Sequence, residues 1–418
     1  MVLRMKCLSR SSRSVAFLHR YGLAGWICCG GHSIPRMLEI LREQGIEVHF
    51  FGPRSTDTIP EGADTGLRLH TLPFTWDRAN PMHKWTRTLL WYLHLPFVCL
   101  YCRLKRIGVM AHVDETLPLS GWVIRLCFGR RFALTVMDFF ARIYTERHLC
   151  LRPLGRTVEW LDLQIWKRTP VLFTKVLHTQ AFLKDAGIPD TRIFLARNPC
   201  DHRIFFPMDD AARAAARARY GFSAEDLVLS HHGIMHPNKG NDWIVERVSE
   251  LLPDIPNLAF LLIGDGPDMA RIKRLVQRRG LQQRVILTGW APTEADLNAG
   301  LNAADIGLAM RIGQETDHFH MTDALSHEMA CGKPVLAARL KGMMEIARDG
   351  ENAILFDPDK PDEFRRAVRR LAADPALRRT LGQAALATSR AVSDIEVCAH
   401  QVADPIADLV REGGTSPR

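Results

Sequence analysis

The sequence predicts an α/β protein made of two doubly wound parallel-sheet domains, and three observations predict it. Its 418 residues exceed what one ordinary core organises, at roughly 150 residues per domain. Short β-branched or apolar runs alternate with longer helical patterns throughout, the rhythm of parallel strands joined by crossover helices. That rhythm is interrupted at Asn198–Pro207, where turn residues and two prolines cluster.

A basic extension over 1–13 precedes a first domain over 14–205. Its strands are expected at Ser14–Leu18, Glu47–Phe51, Val109–His112, Phe132–Val136 and Val171–Thr174. Between the first two, Ile34–Gln44 carries apolar residues at helical spacing and is closed by Gly45. The second domain, over 206–392, opens with the Ala- and Arg-rich helix Asp210–Tyr220. Strands follow at Leu227–His231, Ala259–Ile263, Val285–Thr288, Ile306–Ala309 and Pro334–Ala337, then charged amphipathic helices at Asp362–Ala373 and Pro375–Arg390. A last helix at Asp394–Arg411 is expected to cross back to the first domain (393–411), leaving a tail at 412–418.

Composition excludes disordered, collagen-like and low-complexity classes, because 47% hydrophobic and 24% charged residues suffice for a large core. The net charge of +9 is unevenly placed. Residues 1–207 hold 29 Lys and Arg against 16 Asp and Glu, and the remainder holds 26 against 30. The ten cysteines are scattered among apolar residues, as in a reducing cytoplasm, and Cys99-Leu-Tyr-Cys102 reads as packing rather than a redox or zinc pair. Val15–Leu18 is too short for the apolar core of a signal peptide, so none is expected.

The longest apolar stretch, Leu89–Cys102, is shorter than the roughly 20 residues a membrane span needs and contains Pro96. Its flanks carry Lys84, Arg87, Arg103, Lys105 and Arg106, and Trp85, Trp91, Tyr92 and Tyr101 lie in or beside it. That mixture suits either a buried helix with a solvated basic end or a segment at an anionic membrane surface. No nucleic-acid recognition motif accompanies the basic excess.

Ligands of open α/β sheets bind outside the carboxyl ends of the strands, so the loops there carry the chemistry. After the first strand comes Cys29-Gly30-Gly31-His32-Ser33, with backbone NH groups and a helix start suited to an anion. After Leu227–His231 comes a loop containing Lys239-Gly240, and a lysine at a strand-to-helix turn can neutralise a phosphate. Ile263-Gly264-Asp265-Gly266-Pro267 is another tight turn. Asp317–Glu328 is a polar loop feeding a helix that stops at Gly332 and returns into a strand. The histidines His231, His232 and His236 lack a completing carboxylate or cysteine and read as packing and hydrogen-bonding groups.

Asn198-Pro-Cys-Asp201 with Phe205 and Pro207, Lys239-Gly240, Gly264-Asp265-Gly266-Pro267, Thr288-Gly289-Trp290 and Glu328-Met-Ala-Cys-Gly332-Lys-Pro-Val335, in that order, resemble the group 1 (family 4) glycosyltransferases. The resemblance covers about 200–370 strongly. The first half is matched more loosely, through Gly30-Gly31 and Lys184-Asp-Ala-Gly187-Ile-Pro. It implies the GT-B fold, two Rossmann-like domains facing a central cleft. A nucleotide-diphosphate sugar would be held mainly by the second domain and a saccharide or lipid-linked envelope acceptor by the first, with retention at the anomeric carbon. No metal is implied, because basic side chains and backbone NH groups would carry the departing diphosphate.

By the same resemblance Lys239 matches the diphosphate lysine, Gly30 and Gly31 the opposing glycine loop, and Gly289 and Trp290 the cradle of the nucleobase. Gly264, Asp265, Gly266, His320, Met321, Thr322 and Glu328 complete the expected donor set. Ile234 stands where the family has an arginine, a role Arg311 could take over. Of the paired glutamates, Phe319 replaces the first and His327 the second, which grips the ribose. Glu315, Asp317 or His320 could substitute for the first. Asp357-Pro-Asp359 matches a surface loop rather than a metal pair. On the acceptor side, Asp138 is either a hydroxyl contact or a helix N-cap, and His112, followed by Asp114 and Glu115, is the other candidate; Asp138, His112 and Lys239 form the candidate catalytic set. The expected activity is sugar transfer in the cytoplasm, at or near the inner membrane face. The alternatives are a noncatalytic nucleotide- or sugar-binding or assembly protein and a nucleotide-sugar epimerase.

Overall fold

The computed structural model describes residues 13–23, 26, 33–55, 66–76, 81–112, 119–136, 139, 141–142, 149–312 and 315–412. The chain divides into two compact units, 1–197 with 395–418, and 198–394.

The first unit holds β1 (Ser14–Leu18), β2 (Glu47–Ser55), β3 (Arg68–Trp76), β4 (Val109–His112), β5 (Phe132–Val136), β6 (Val171–Thr174) and β7 (Ile193–Leu195). They form one parallel sheet ordered β3-β2-β1-β4-β5-β6-β7. β1, β4, β5 and β6 are buried at every position, which explains why each is a continuous apolar run instead of an alternating one. Helices α1 (Ser33–Glu43), α2 (Pro81–Leu104), α3 (Ser120–Cys127), α4 (Arg152–Trp166) and α5 (Leu177–Asp185) accompany them. Edge strands β3 and β7 were not expected. β3 mixes Arg68, His70, Thr71 and Pro73 into its pattern, and it pairs with β2 through a register shift at Pro53/Arg54.

The Leu89–Cys102 stretch lies within α2. Cys99 and Cys102 are buried there, the Cys99 thiol approaches the Met110 sulfur at 3.7 Å, and burial raises both thiol pKa values. They are packing groups. No helix among the described residues is long and apolar enough to cross a membrane.

The second unit holds β8 (Leu227–His232), β9 (Leu258–Ile263), β10 (Val285–Leu287), β11 (Ile306–Ala309), β12 (Val335–Ala338) and β13 (Ala353–Phe356), a parallel sheet ordered β10-β9-β8-β11-β12-β13. Its helices are α6 (Asp210–Arg219), α7 (Asn241–Leu251), α8 (Met269–Arg278), α9 (Glu294–Ala303), α10 (Asp323–Ala330), α11 (Pro361–Ala373) and α12 (Pro375–Val392). Asp209 caps α6 by accepting from the Ala212 amide, and α10 ends at Gly332 in the left-handed region (φ 66°).

The division between units falls at Arg197/Asn198, not at 205/206. Cys200 and Phe205 are buried in the second unit's core with Val228 and Leu261, and the Cys200 amide bonds the Ser393 carbonyl, so Asn198–Phe205 belongs to that unit. The return falls at Asp394/Ile395. Helix α13 (Ile395–Glu412) packs Ala399, Ala403 and Ile406 into the first unit's core beside Phe17, Leu38 and Val48. An Arg36–Glu396 fork at 2.7 and 2.8 Å ties it to α1.

Both sheets wind outward in two directions from a reversal point, β1/β4 in the first unit and β8/β11 in the second. Crevices at the carboxyl ends of such strand pairs are where this architecture seats ligands.

Candidate functional site

In the second unit, the functional side chains collect around the carboxyl ends of β8 and β11. β8 ends in His232, and the chain turns through Gly233 to a short 3-10 turn, Pro237–Lys239, closed by Gly240 at φ 64°. A side chain at Gly240 is disfavoured by this left-handed backbone, and a Cβ there would meet the Met310 methyl at 2.8 Å and force it to shift. This tight closure delivers Lys239 at the start of α7. The positive charge of Lys239 helps depress the pKa of His231, His232 and His320, which gathers all four groups into one electrostatic neighbourhood.

β11 leads through Met310 to Arg311, whose Nη1 lies 3.0 Å from the buried carboxylate of Asp317. Asp317 is therefore engaged by Arg311. Burial, then the Arg311 charge, pull His320 down to about 3, so it is neutral at pH 7. Thr322 precedes α10 without capping it, and its hydroxyl is buried with no hydrogen-bond partner among the described residues. A helix start with an unused hydroxyl, near two basic side chains, is suited to a phosphate.

His327 lies one helical turn further along α10, stacked on Phe205 (centroids 4.0 Å, 8°) and facing His232 (5.1 Å, 11°). His232 also lines a cavity of about 250 Å³ with Gly233, Trp290, Pro292, Thr293 and Glu294. Trp290 is 60% exposed there, following Gly289 at φ 75°. The stack joins this cavity to α10. His232, expected from the sequence to pack and hydrogen-bond, is thus a further candidate site residue; its place as the last residue of a strand at a sheet reversal was the available signal.

Other expected donor residues have different roles. Gly264 and Gly266 are spacers: a Cβ on Gly264 would fall 2.0 Å from the Gly233 carbonyl, and one on Gly266 2.5 Å from that of Met235. The Asp265 carboxylate accepts from the Gly266 amide at 2.7 Å while its carbonyl accepts from Met235, so this turn clamps the 233–235 loop from behind. Glu328 is a correction. It is fully buried, accepts from the Ser230 hydroxyl at 2.7 Å, and presses on Gly307, one residue and about 100° around the helix from His327. Burial raises its pKa, the reverse of an exposed ligand-binding carboxylate. Met321 and Phe319 are buried apolar residues, and Ile234 is half exposed. His231 donates from its ring to the Leu308 carbonyl at 2.9 Å, and Asp357 caps its own loop through the Asp359 amide.

In the first unit, His112 ends β4, buried and edge-on to Trp91 at 6.1 Å. It borders a small cavity of about 70 Å³ with His19, Thr135, Lys175 and Arg197, at the carboxyl ends of β1, β4, β5, β6 and β7. Gly30, Gly31, Asp138, Asp114 and Glu115 lie outside the described residues.

Comparison with known proteins bears on the whole arrangement. Residues 226–374 match the model of the glycosyl transferases group 1. The GDP-mannose-dependent alpha-(1-6)-phosphatidylinositol monomannoside mannosyltransferase of Mycolicibacterium smegmatis is 30% identical over 302 residues, 70% of this chain and 76% of its own. The alpha-D-kanosaminyltransferase of Streptomyces kanamyceticus is 27% identical over 194 residues, 46% of this chain and 48% of its own, so the chain spans about half of that relative. The sucrose-phosphate synthase of Thermosynechococcus elongatus shares the GT-B fold with a TM-score of 0.72 at 21% identity, covering 94% of this chain and 97% of that one.

Proposed function

Because the chain belongs to the group 1 glycosyltransferases, we propose that it moves a sugar from a nucleotide-diphosphate donor to a lipid-linked or saccharide acceptor of the cell envelope, as a family 4, retaining, metal-independent enzyme. The observation that carries this is the meeting of Lys239, Arg311 and the start of α10 beside the Trp290 cavity. In transfer, the bond from the anomeric carbon to the diphosphate breaks, the acceptor hydroxyl oxygen bonds to that carbon from the same face, the hydroxyl proton passes to a departing phosphate oxygen, and the nucleoside diphosphate leaves carrying the charge of the broken bond. Lys239, Arg311 and the backbone NH groups of α10 would stabilise that charge, the role a metal would otherwise fill. The cavity edged by Trp290 takes the base. His327, held flat by Phe205 and His232, offers a ring nitrogen to the ribose.

The acceptor falls to the first unit, with His112 and Asp138 as the groups to receive the hydroxyl. The mannosyltransferase relative is named for a phosphatidylinositol acceptor, which supports a lipid-linked one here and work on the inner face of the cytoplasmic membrane. A second reading has its own observation: with Phe319 buried and Glu328 turned into the sheet, neither supplies a carboxylate to the site, as suits a nucleotide-binding protein without turnover.

Calorimetric titration with UDP, GDP and ADP, against wild type and Lys239→Ala, tests the donor site. We expect at least tenfold weaker binding in the variant and a transfer rate lower by about 100-fold. Equal affinity would remove Lys239 from the site. Nucleotide binding without transfer to any envelope acceptor would favour the second reading.

A further inference from the structure

Helix α2 is apolar on two opposite faces, and only one of them is covered. Trp91, Leu95, Val98, Cys99 and Cys102 are buried in the first unit. On the other side Leu89, Leu93, Phe97, Leu100 and Leu104 recur every three or four residues, 61, 55, 72, 49 and 73% exposed, an unbroken stripe roughly 22 Å long at 1.5 Å per residue. A stripe of that spacing on an exposed helix is ordinarily polar. Helix α3 packs against α2 and carries another exposed leucine, Leu126, at 75%. Such continuity distinguishes it from the single exposed leucines common on any surface.

The charge around the stripe has one sign. From Arg78 to Val113 the chain has no Asp or Glu but carries Arg78, Lys84, Arg87, Arg103, Lys105 and Arg106. Arg103, Lys105 and Arg106 are exposed at the end of the stripe, on either side of Leu104. Arg106 also closes the helix in the left-handed region (φ 58°), where glycine is the ordinary choice and a side chain is disfavoured. A cation is thus held at a position whose backbone geometry argues against one.

We propose that this face of α2 seats the protein on an anionic lipid surface, Leu93 and Phe97 entering the acyl boundary and Arg103, Lys105 and Arg106 meeting the headgroups. This rests on the lipid-linked acceptor of the proposed function and adds the face that docks. A helix whose apolar stretch is too short to span, with an apolar stripe along one side and basic flanks, has the form of one that lies in the interface. Pairing two copies of this chain through the stripe would bring like charges together with no acidic residue on the helix to offset them, whereas an anionic bilayer neutralises them.

Flotation with vesicles of phosphatidylcholine and phosphatidylglycerol (3:1), against phosphatidylcholine alone, decides it. Wild type should partition onto the anionic vesicles at least tenfold better. Leu93→Gln/Phe97→Gln should lose at least tenfold of that partitioning while retaining its melting temperature and nucleoside diphosphate affinity, since both side chains face solvent. Leu89→Gln/Leu104→Gln serves as the second variant if the first folds poorly. Variants that float like wild type would overturn the assignment of the face and leave the membrane reading standing. Wild type that floats on neither vesicle would overturn both, with the donor site untouched. A dimer in sedimentation that the stripe variants dissociate, without flotation, would make the stripe a self-contact and overturn the proposal.

Discussion

The two units share a sheet order, outward in both directions from one reversal, yet their surfaces differ. The first carries a net charge of +11 (30 Lys and Arg against 19 Asp and Glu), the second −2 (25 against 27). Among the described residues thirteen large apolar side chains stand exposed on the first unit and four on the second. Two of those four, Ile234 and Trp290, lie in the candidate site's loops. The second unit keeps its unusual groups inside: Glu328, Lys333, His231 and Arg217 are buried and hydrogen-bonded. Topology fixes where a ligand can sit in both; the side chains outside the sheet set how charged and how apolar each unit's surface is.

A pair of glycines gives the sharpest test of that contrast. Gly129 in the first unit and Gly264 in the second have nearly the same φ, 135° and 139°, but Gly129 has open space at its Cβ position and Gly264 has the Gly233 carbonyl. Gly129→Ala should cost only backbone strain, about 1–3 kcal/mol. Gly264→Ala should cost about 2 kcal/mol more, because the 233–235 loop it abuts must move. Equal losses in chemical denaturation would show that the 233–235 loop yields freely.

Acid should next separate the units. Burial lowers the pKa of His231 to about 4 from its usual 6.5, so between those values the unfolded chain binds a proton that the folded one does not. The stability this confers is complete above pH 6.5 and is lost as pH falls through 4, a change on the order of 3 kcal/mol. His320, drawn down to about 3, acts in the same sense. Hydrogen exchange at pH 7 and pH 5 should show β8 and β11 losing protection, with His231→Asn reducing the change. Protection that is equal at both pH values would contradict a neutral buried His231.

The last contrast concerns α13 and contains the smallest expected effect, that of its surface ion pair. Ile406→Ala opens a hole in the first unit's core and should cost about 2–5 kcal/mol. Arg36→Ala removes the fork to Glu396, which lies at the surface, and should cost no more than about 1 kcal/mol. Thermal melts of the two variants that coincide would mean the helix is held by charge instead of by packing.

The strands at the centre of each sheet were legible in the sequence because burial on both faces makes them contiguous: Ser14–Leu18, Val109–His112, Phe132–Val136 and Ile306–Ala309 match residue for residue. Of the four edge strands only Val285–Leu287 was expected; Arg68–Trp76 is part polar, Ile193–Leu195 is too brief to show a period, and the short apolar run Ala353–Phe356 was not read as a strand. Lys239 and Trp290 could be placed because glycine marks the turns that present them. The orientation of Glu328 could not, because adjacent helical residues differ by about 100° and only the packed helix shows that His327 faces Phe205 while Glu328 faces Ser230.

Helix α13 also orders events during synthesis. Domains ordinarily fold as the chain emerges, the N-terminal one first. Here the first unit's core contains Ala399, Ala403 and Ile406, which are translated after every residue of the second unit. The continuous segment 198–394 can finish folding while the earlier-made unit still waits for its closing helix. The more basic and more apolar-surfaced unit is thus the later to be completed, and its incomplete core is the part of the nascent chain most in need of a chaperone.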